Sequence, residues 1–247
     1  MREDAVGGWH AVLALLKTAP ERVLSISLDR SRKGPRRVEL HEAARRAGVS
    51  VDETSNDTLD RMAGHTHHQG VVARCRPAEE YGEADLPAFL AGLKAPPFLL
   101  VLDGIQDPHN LGACLRSADA AGVQAVILPR DNSAPLTPVV SKVASGAAET
   151  VPMFRVTNLA RTLDVLKEAG VWLVGAAGDT DKDLYAIDLR GPLALVLGAE
   201  GTGLRRLTRE KCDHLARIPM AGMVESLNVS VAAGVCLFEA VRQRRKA

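Results

Sequence analysis

Aromatic side chains are scarce: only eight of the 247 residues are Phe, Trp or Tyr. A stacking platform of the kind used by many single-strand nucleic-acid readers is therefore not expected, and any nucleic-acid recognition has to lean on charge, shape and hydrogen bonds. Long apolar runs are missing as well. No run of about 18 apolar residues occurs, and charges of both signs are spread through the first 30 residues, so neither a membrane span nor a secretory signal is expected. The chain reads as cytoplasmic. Cys75, Cys114, Cys212 and Cys236 are far apart and form no C-x-x-C pair. That spacing argues against a zinc site or a disulfide framework and for ordinary buried thiols. The net charge of +1 excludes a polycation as a whole. No G-x-G-x-x-G follows an early strand, so a nicotinamide-binding domain is a poor match.

A 46% hydrophobic content over 247 residues is enough to bury a full core in one large domain or two small ones. Residues 9–18 form an apolar helical pattern, and Val23 to Leu28 alternates at period two like a half-buried strand. Helices are predicted over Val38–Ala47, ended by Gly48, and over Thr58–Met62, with a strand over Gly70–Cys75. An acidic stretch bearing Pro and Gly follows, with a short helix possible from Leu86 to Leu93. The predicted organisation is a small α/β unit over 1–76, a linker over 77–97 and a larger domain over 98–247. In that domain strands at 98–102, 125–128, 150–154, 171–174, 193–197 and 214–218 alternate with helices at 110–121, 137–146, 158–168, 203–211 and 227–244. Unbroken apolar strands between helices predict an α/β fold with a mostly parallel sheet covered on both faces.

Three polar, glycine-bearing stretches fall where these strands give way to helices, the edge at which such sheets collect ligands. They are Asn110 to Gly122, Leu197 to Leu204 and Ile218 to Ser230. Taken alone, Gly198-Ala-Glu-Gly-Thr-Gly203 is either a cofactor turn or a tight strand-to-helix connection. Asn110 and Arg116 are six apart, near two turns at about 3.6 residues per turn, and so share one wide helical face. Asn110 also reads as a helix cap, as does one of Ser226 and Asn228. His65-Thr-His-His68 reads as a polar loop rather than a metal site.

The set Asn110-x-Gly-x-x-x-Arg116, Leu197-Gly-Ala-Glu-Gly201, and Ile218-Pro-Met220 followed by Ser226-Leu-Asn-Val-Ser230 closely resembles the three motifs of the SpoU (TrmH) class of SPOUT RNA 2'-O-methyltransferases. The N-terminal unit, with His10-Ala-Val and His68-Gln-Gly70, resembles the substrate-binding domain of the bacterial enzymes that methylate guanosine ribose in 23S rRNA. The resemblance implies a C-terminal segment threaded into a deep trefoil knot, which forms the S-adenosylmethionine pocket and a homodimer interface. It implies cofactor contacts at Gly198, Ile218, Met220 and Leu227, and catalytic roles for Arg116, Asn110, Glu200, Ser226 and Asn228. An arginine is a poor general base because its pKa lies above about 12. Arg116 is therefore expected to hold a backbone phosphate and stabilise the developing 2'-alkoxide. Glu225 and its neighbours Gly222-Met-Val depart from the small or neutral residues usual in the third motif.

The substrate so implied is 23S rRNA. The alternatives are 2'-O-methylation of tRNA or another rRNA site, or a noncatalytic RNA-binding ribosome-assembly factor. Arg30-Ser-Arg-Lys-Gly-Pro-Arg-Arg37 puts five cations in eight residues of the proposed RNA-binding unit, where phosphate contacts would give salt-dependent affinity. A second cation run, Arg242 to Lys246, is either RNA-facing or ordinary solvated surface.

Overall fold

The computed structural model describes residues 3–64, 67–77 and 81–245. In the N-terminal part the elements are β1 (Asp4–Gly7), α1 (Trp9–Thr18), β2 (Val23–Asp29), α2 (Pro35–Ala47), β3 (Val51–Thr54), α3 (Asn56–Ala63) and β4 (Val71–Cys75). There follow α4 (Leu86–Ala91), β5 (Phe98–Asp103), α5 (Pro108–Ala121), β6 (Ala125–Pro129), α6 (Pro138–Ala144), α7 (Ala147–Thr150) and β7 (Met153–Val156). The chain continues through α8 (Leu159–Glu168), β8 (Trp172–Ala176), β9 (Leu193–Gly198), α9 (Arg206–Lys211), β10 (His214–Ala216) and α10 (Val229–Arg244). Two compact units result, one of residues 1–79 with 145–150 and one of residues 80–144 with 151–247. No helix among the described residues is long and apolar enough to cross a membrane. His65, Thr66 and Lys246, from the His loop and the last cation run, lie outside the described residues.

The first unit is a four-stranded sheet in the order β1-β4-β2-β3, antiparallel except for the β2–β3 pair. Val23, Ile26 and Leu28 of β2 pack with Val12, Leu15 and Leu16 of α1 and Leu40 and Ala44 of α2. Helix α2 starts three residues before the predicted Val38. Pro35 occupies its first turn, where a fixed φ and a missing N–H cost nothing. Gly48 ends it in the left-handed conformation at φ 69°. The short α7 belongs to this unit and packs on α1. A Cβ on Gly146 would lie 3.2 Å from both the Ala14 Cβ and the His10 carbonyl oxygen, so glycine permits the approach. Arg22 pairs with the largely buried Glu149 at 3.3 Å. Burial pushes the Glu149 carboxyl above its ordinary range, against the pull of Arg22.

In the second unit six parallel strands take the order β10-β8-β9-β5-β6-β7. Every residue of β5 is buried, as the continuous apolar run requires of a strand covered on both faces. Leu99 and Val101 pack with Ala194, Val196 and α8 residues Leu159, Leu163 and Leu166. Alternate residues face the other way, where α10 packs on β9 and α5 packs on α6 and α10. Residues 81–97 join this unit. The Tyr81 and Phe154 rings stack at 5.1 Å, Phe89 meets Phe154 edge-on at 5.0 Å, and Leu86 is buried among them. The helix predicted over 137–146 is shorter, because Ser145 and Gly146 take positive φ values of 53° and 98° and divide α6 from α7.

Strands β5 and β9 lie side by side, yet the chain leaves them toward opposite edges, to β6 and β7 on one side and β8 and β10 on the other. This reversal is the switch point at which parallel α/β sheets open a crevice beyond the carboxyl ends of their strands. The loops leaving β5, β9 and β10 all emerge at that edge.

Candidate active site

Helix α5 begins at that crevice. Its cap is Asp107, whose carboxylate accepts the His109 N–H at 3.0 Å, with Pro108 in the first turn. Asn110 is thus relieved of capping and its buried amide is free to reach sideways. Its Nδ2 donates to Glu200 Oε2 at 3.1 Å, and its Oδ1 accepts from Asn228 Nδ2 at 3.0 Å. Asn228 Nδ2 also lies 3.4 Å from Glu200 Oε1. The alternative cap reading holds for Asn228, because its Oδ1 accepts the Ser230 N–H at 2.9 Å and the Ser230 hydroxyl at 2.6 Å. That capping bond fixes which end of the amide is nitrogen, and the order then propagates: Asn228 donates to Asn110, which donates to Glu200. Residues from the first turn of α5, the turn after β9 and the cap of α10 form one directed network.

Glu200 sits at the tip of a tight turn. Ala199 and Gly203 exchange backbone hydrogen bonds of 3.1 and 2.9 Å, and Gly201 and Gly203 have φ values of 80° and 66°. The helix predicted from 203 therefore starts only at Arg206. A Cβ on Gly198 would fall 2.0 Å from the Gly203 carbonyl carbon and 2.2 Å from the Leu204 nitrogen, so only glycine lets this loop fold back on its strand.

Asp103, at the end of β5, is a residue that the sequence reasoning missed. It is buried, and its carboxylate accepts the Arg205 backbone N–H at 3.0 Å while also pairing with the Arg205 guanidinium. It therefore ties the far end of the Glu200 loop to the central strand. The one signal for it in the sequence was an acidic residue closing an otherwise apolar strand just before Gly104.

The other candidates stand apart from this network. Arg116 is exposed on α5, and Ser226 is exposed ahead of α10. Neither bonds to Asn110, Glu200 or Asn228 in the single chain. Ile218 and Leu227 are half-buried, and Met220 is 37% exposed. Among the described residues, 218–227 make no backbone–backbone hydrogen bond, which leaves their C=O groups, and their N–H groups apart from Pro219, available at the crevice. Glu225, the departure from the motif, is exposed. Burial pushes the thiols of Cys114, Cys212 and Cys236 up to about 12, which leaves them no role as thiolates. Among the described residues no group of three or more His, Cys, Asp or Glu is placed to hold a metal ion.

Residues 97–238 match the model of the SpoU rRNA Methylase family, and residues 5–81 match that for RNA 2'-O ribose methyltransferase substrate binding. The chain is 59% identical over 244 residues to the 23S rRNA (guanosine-2'-O-)-methyltransferase RlmB of Shewanella oneidensis, covering 99% of each chain. It is 55% identical over 241 residues to the protein of the same name from Escherichia coli, covering 98% of this chain and 99% of that one. Among solved structures, the SpoU methyltransferase AviRb from Streptomyces viridochromogenes, in complex with the cofactor AdoMet, superposes with a TM-score of 0.80 at 26% identity. That match covers 99% of this chain and 92% of AviRb.

Proposed function

The chain belongs to the SpoU rRNA methylase family, and on that premise we propose that it transfers the methyl group of S-adenosylmethionine to the 2'-oxygen of one guanosine ribose in 23S rRNA. The names of its full-length relatives support the substrate, and the AdoMet complex of its structural neighbour supports the cofactor. The observation that carries the reading is the Asn110–Glu200–Asn228 network, which draws the three motifs together at the switch point of the sheet.

The residues at the crevice fit the cofactor. Backbone groups along 218–227 that bond no other described backbone suit an adenine edge, half-buried Ile218 and Leu227 suit its faces, and Gly198 lets the Glu200 turn fold back onto β9 beside them. With Met220, these residues would hold the cofactor. When bound, S-adenosylmethionine supplies a methyl group already activated on a cationic sulfonium. Glu200 contributes a carboxylate that favours a cationic ligand nearby. Asn110 and Asn228 fix that carboxylate, and Ser226 helps position the ribose. Arg116 holds an RNA phosphate and steadies the negative charge that grows on the 2'-oxygen as its proton passes to that phosphate or to a water.

Residues 1–76 form the RNA-binding domain and 98–247 the methyltransferase domain, with 77–97 connecting them and its part from Tyr81 onward packed into the second unit. The segment after Ala216 threads into a trefoil knot. That reading rests on the family; the segment itself packs against residues 182–190, where Arg217 and Asp183 pair as a β-bridge and Gln243 on α10 bonds Ile187 and Leu189. The protein works as a homodimer in the cytoplasm.

The test is methyl transfer from labelled S-adenosylmethionine to unmodified 23S rRNA, with the product mapped by resistance to alkaline cleavage. One guanosine ribose should be labelled, and Arg116→Ala should lose that label while still binding the cofactor. Loss of cofactor binding with turnover kept at saturating cofactor would overturn the role of Arg116. Label on tRNA and none on 23S rRNA would overturn the substrate.

A further inference from the structure

The turn His68-Gln69-Gly70 in the first unit is held by hydrogen bonds to Trp9, Asp60 and Asp29. Gln69 has φ 56°, in the left-handed region that disfavours any residue with a Cβ and that glycine or asparagine fills at less cost. The Trp9 indole N–H donates to the Gln69 carbonyl at 3.0 Å. The Gly70 N–H donates to His68 Nδ1 at 3.1 Å. With Nδ1 accepting, the ring hydrogen lies on Nε2, which donates to Asp60 at 2.8 Å. The His68 ring is 1% exposed. Gly70, itself at φ 85°, accepts the Asp29 N–H at 2.9 Å. A buried tryptophan, a buried histidine and a strand end thus lock a strained backbone around a side chain that points into solvent.

Beside it runs the turn bearing the cation cluster. A Cβ on Gly70 would fall 2.9 Å from the Arg32 Cγ and 3.1 Å from its Nε, so the arginine lies across the glycine. Ser31 in that turn donates its backbone N–H to Asp29 at 3.0 Å, fixing the loop that presents exposed Arg30, Arg32 and Lys33. An exposed amide in a strained, over-determined conformation beside three cations is the pattern of a binding residue, since strain of this kind persists where function uses it.

Building on the RNA-substrate reading, we infer that Gln69 reads a nucleotide of the rRNA. Its side-chain amide, both donor and acceptor, bonds the edge of an unpaired base, while Arg30, Arg32 and Lys33 hold the flanking phosphates. The scarcity of aromatic residues leaves hydrogen bonding and charge as the means of recognition.

Gln69→Gly and Gln69→Asn separate this role from folding, because both residues accept a positive φ. The affinity of the full-length protein for a 23S rRNA transcript, its affinity for S-adenosylmethionine and its Tm are measured together. Gln69→Gly should weaken transcript binding about three- to tenfold, as loss of one or two hydrogen bonds does. Its Tm should be kept or raised, cofactor affinity unchanged and the salt dependence of RNA binding that of the parent, since no charge is removed. Gln69→Asn should fall between the two. Equal transcript affinity of parent and Gln69→Gly overturns the inference. If the parent binds the transcript more tightly than Gln69→Gly yet methylates only another RNA, the RNA contact stands and the 23S substrate falls.

Discussion

The side-chain oxygen of Asn228 caps α10 while its nitrogen bridges Asn110 and Glu200, so a single residue couples the stability of a helix to the geometry of the site. The two duties are separable. Serine is as good a cap as asparagine, but its hydroxyl is too short to reach the bridge. Asn228→Ser is expected to keep the parental Tm while methyl transfer falls roughly ten- to a hundredfold, the scale set by leaving one or two polar partners unsatisfied. Asn228→Ala should lose the same activity and, in addition, about 1 kcal/mol of stability. Thermal unfolding and single-turnover rates on the same preparations check both. Full activity in the serine variant would show that the bridge is dispensable.

At the level of elements, glycines set how closely segments approach, and the atoms they face predict an order of damage. A Cβ on Gly175 would meet the Cys212 sulfur and a Leu204 methyl at 2.8 Å, both at the ends of side chains that can turn away. On Gly112 it would meet the Val143 Cβ at 2.7 Å and the Val140 carbonyl oxygen at 2.9 Å, so α6 must move off α5. Overpacking of that kind costs about 1–3 kcal/mol. At Gly198 the obstacle is backbone at 2.0 Å, and the Glu200 turn has to open. Alanine scanning should rank the three in that order for loss of cofactor affinity, with Gly198→Ala the most severe. A Gly198→Ala protein with parental affinity would contradict the close approach.

The same elements mark how far the sequence could be read. The central strands β5 and β9 are legible because a strand buried on both faces must be apolar throughout. Strands β1 and β3 are not legible: Asp4-Ala-Val-Gly7 and Val51-Asp-Glu-Thr54 carry no alternating pattern, and they become strands only through β4 and β2. In the site, Asn110, Glu200 and Asn228 stood out as polar residues at strand-to-helix junctions. The spacing of Asn110 and Arg116 suggested a shared face, yet Asn110 is buried and Arg116 exposed, because six residues leave them about 120° apart on the helix. Asp103 is not legible in the sequence because its partner, the loop ending at Arg205, is 102 residues away.

For the molecule as a whole, α10 leaves Val231 and Phe238 51% and 48% exposed, two turns apart on one face. Met223 and Val224 just before it are more exposed still. An apolar surface of this sort is one that a second copy would cover in the proposed homodimer. Phe238→Glu should shift the solution mass from dimer to monomer and reduce methyl transfer with it. A parent protein that is monomeric at working concentration would refute the dimer.

Asn228 is made long after Asn110, 118 positions further along the chain. Folding during synthesis proceeds from the N-terminal side, so β5, α5 and β9 can settle while the wall that Asn228 belongs to has yet to be translated. A chain that stops before that point lacks Asn228 and also the α10 side chains Ala233, Cys236, Leu237 and Ala240, which are buried where α10 packs on α5 and β9. The last motif to emerge therefore completes the hydrophobic core and the polar site in the same step.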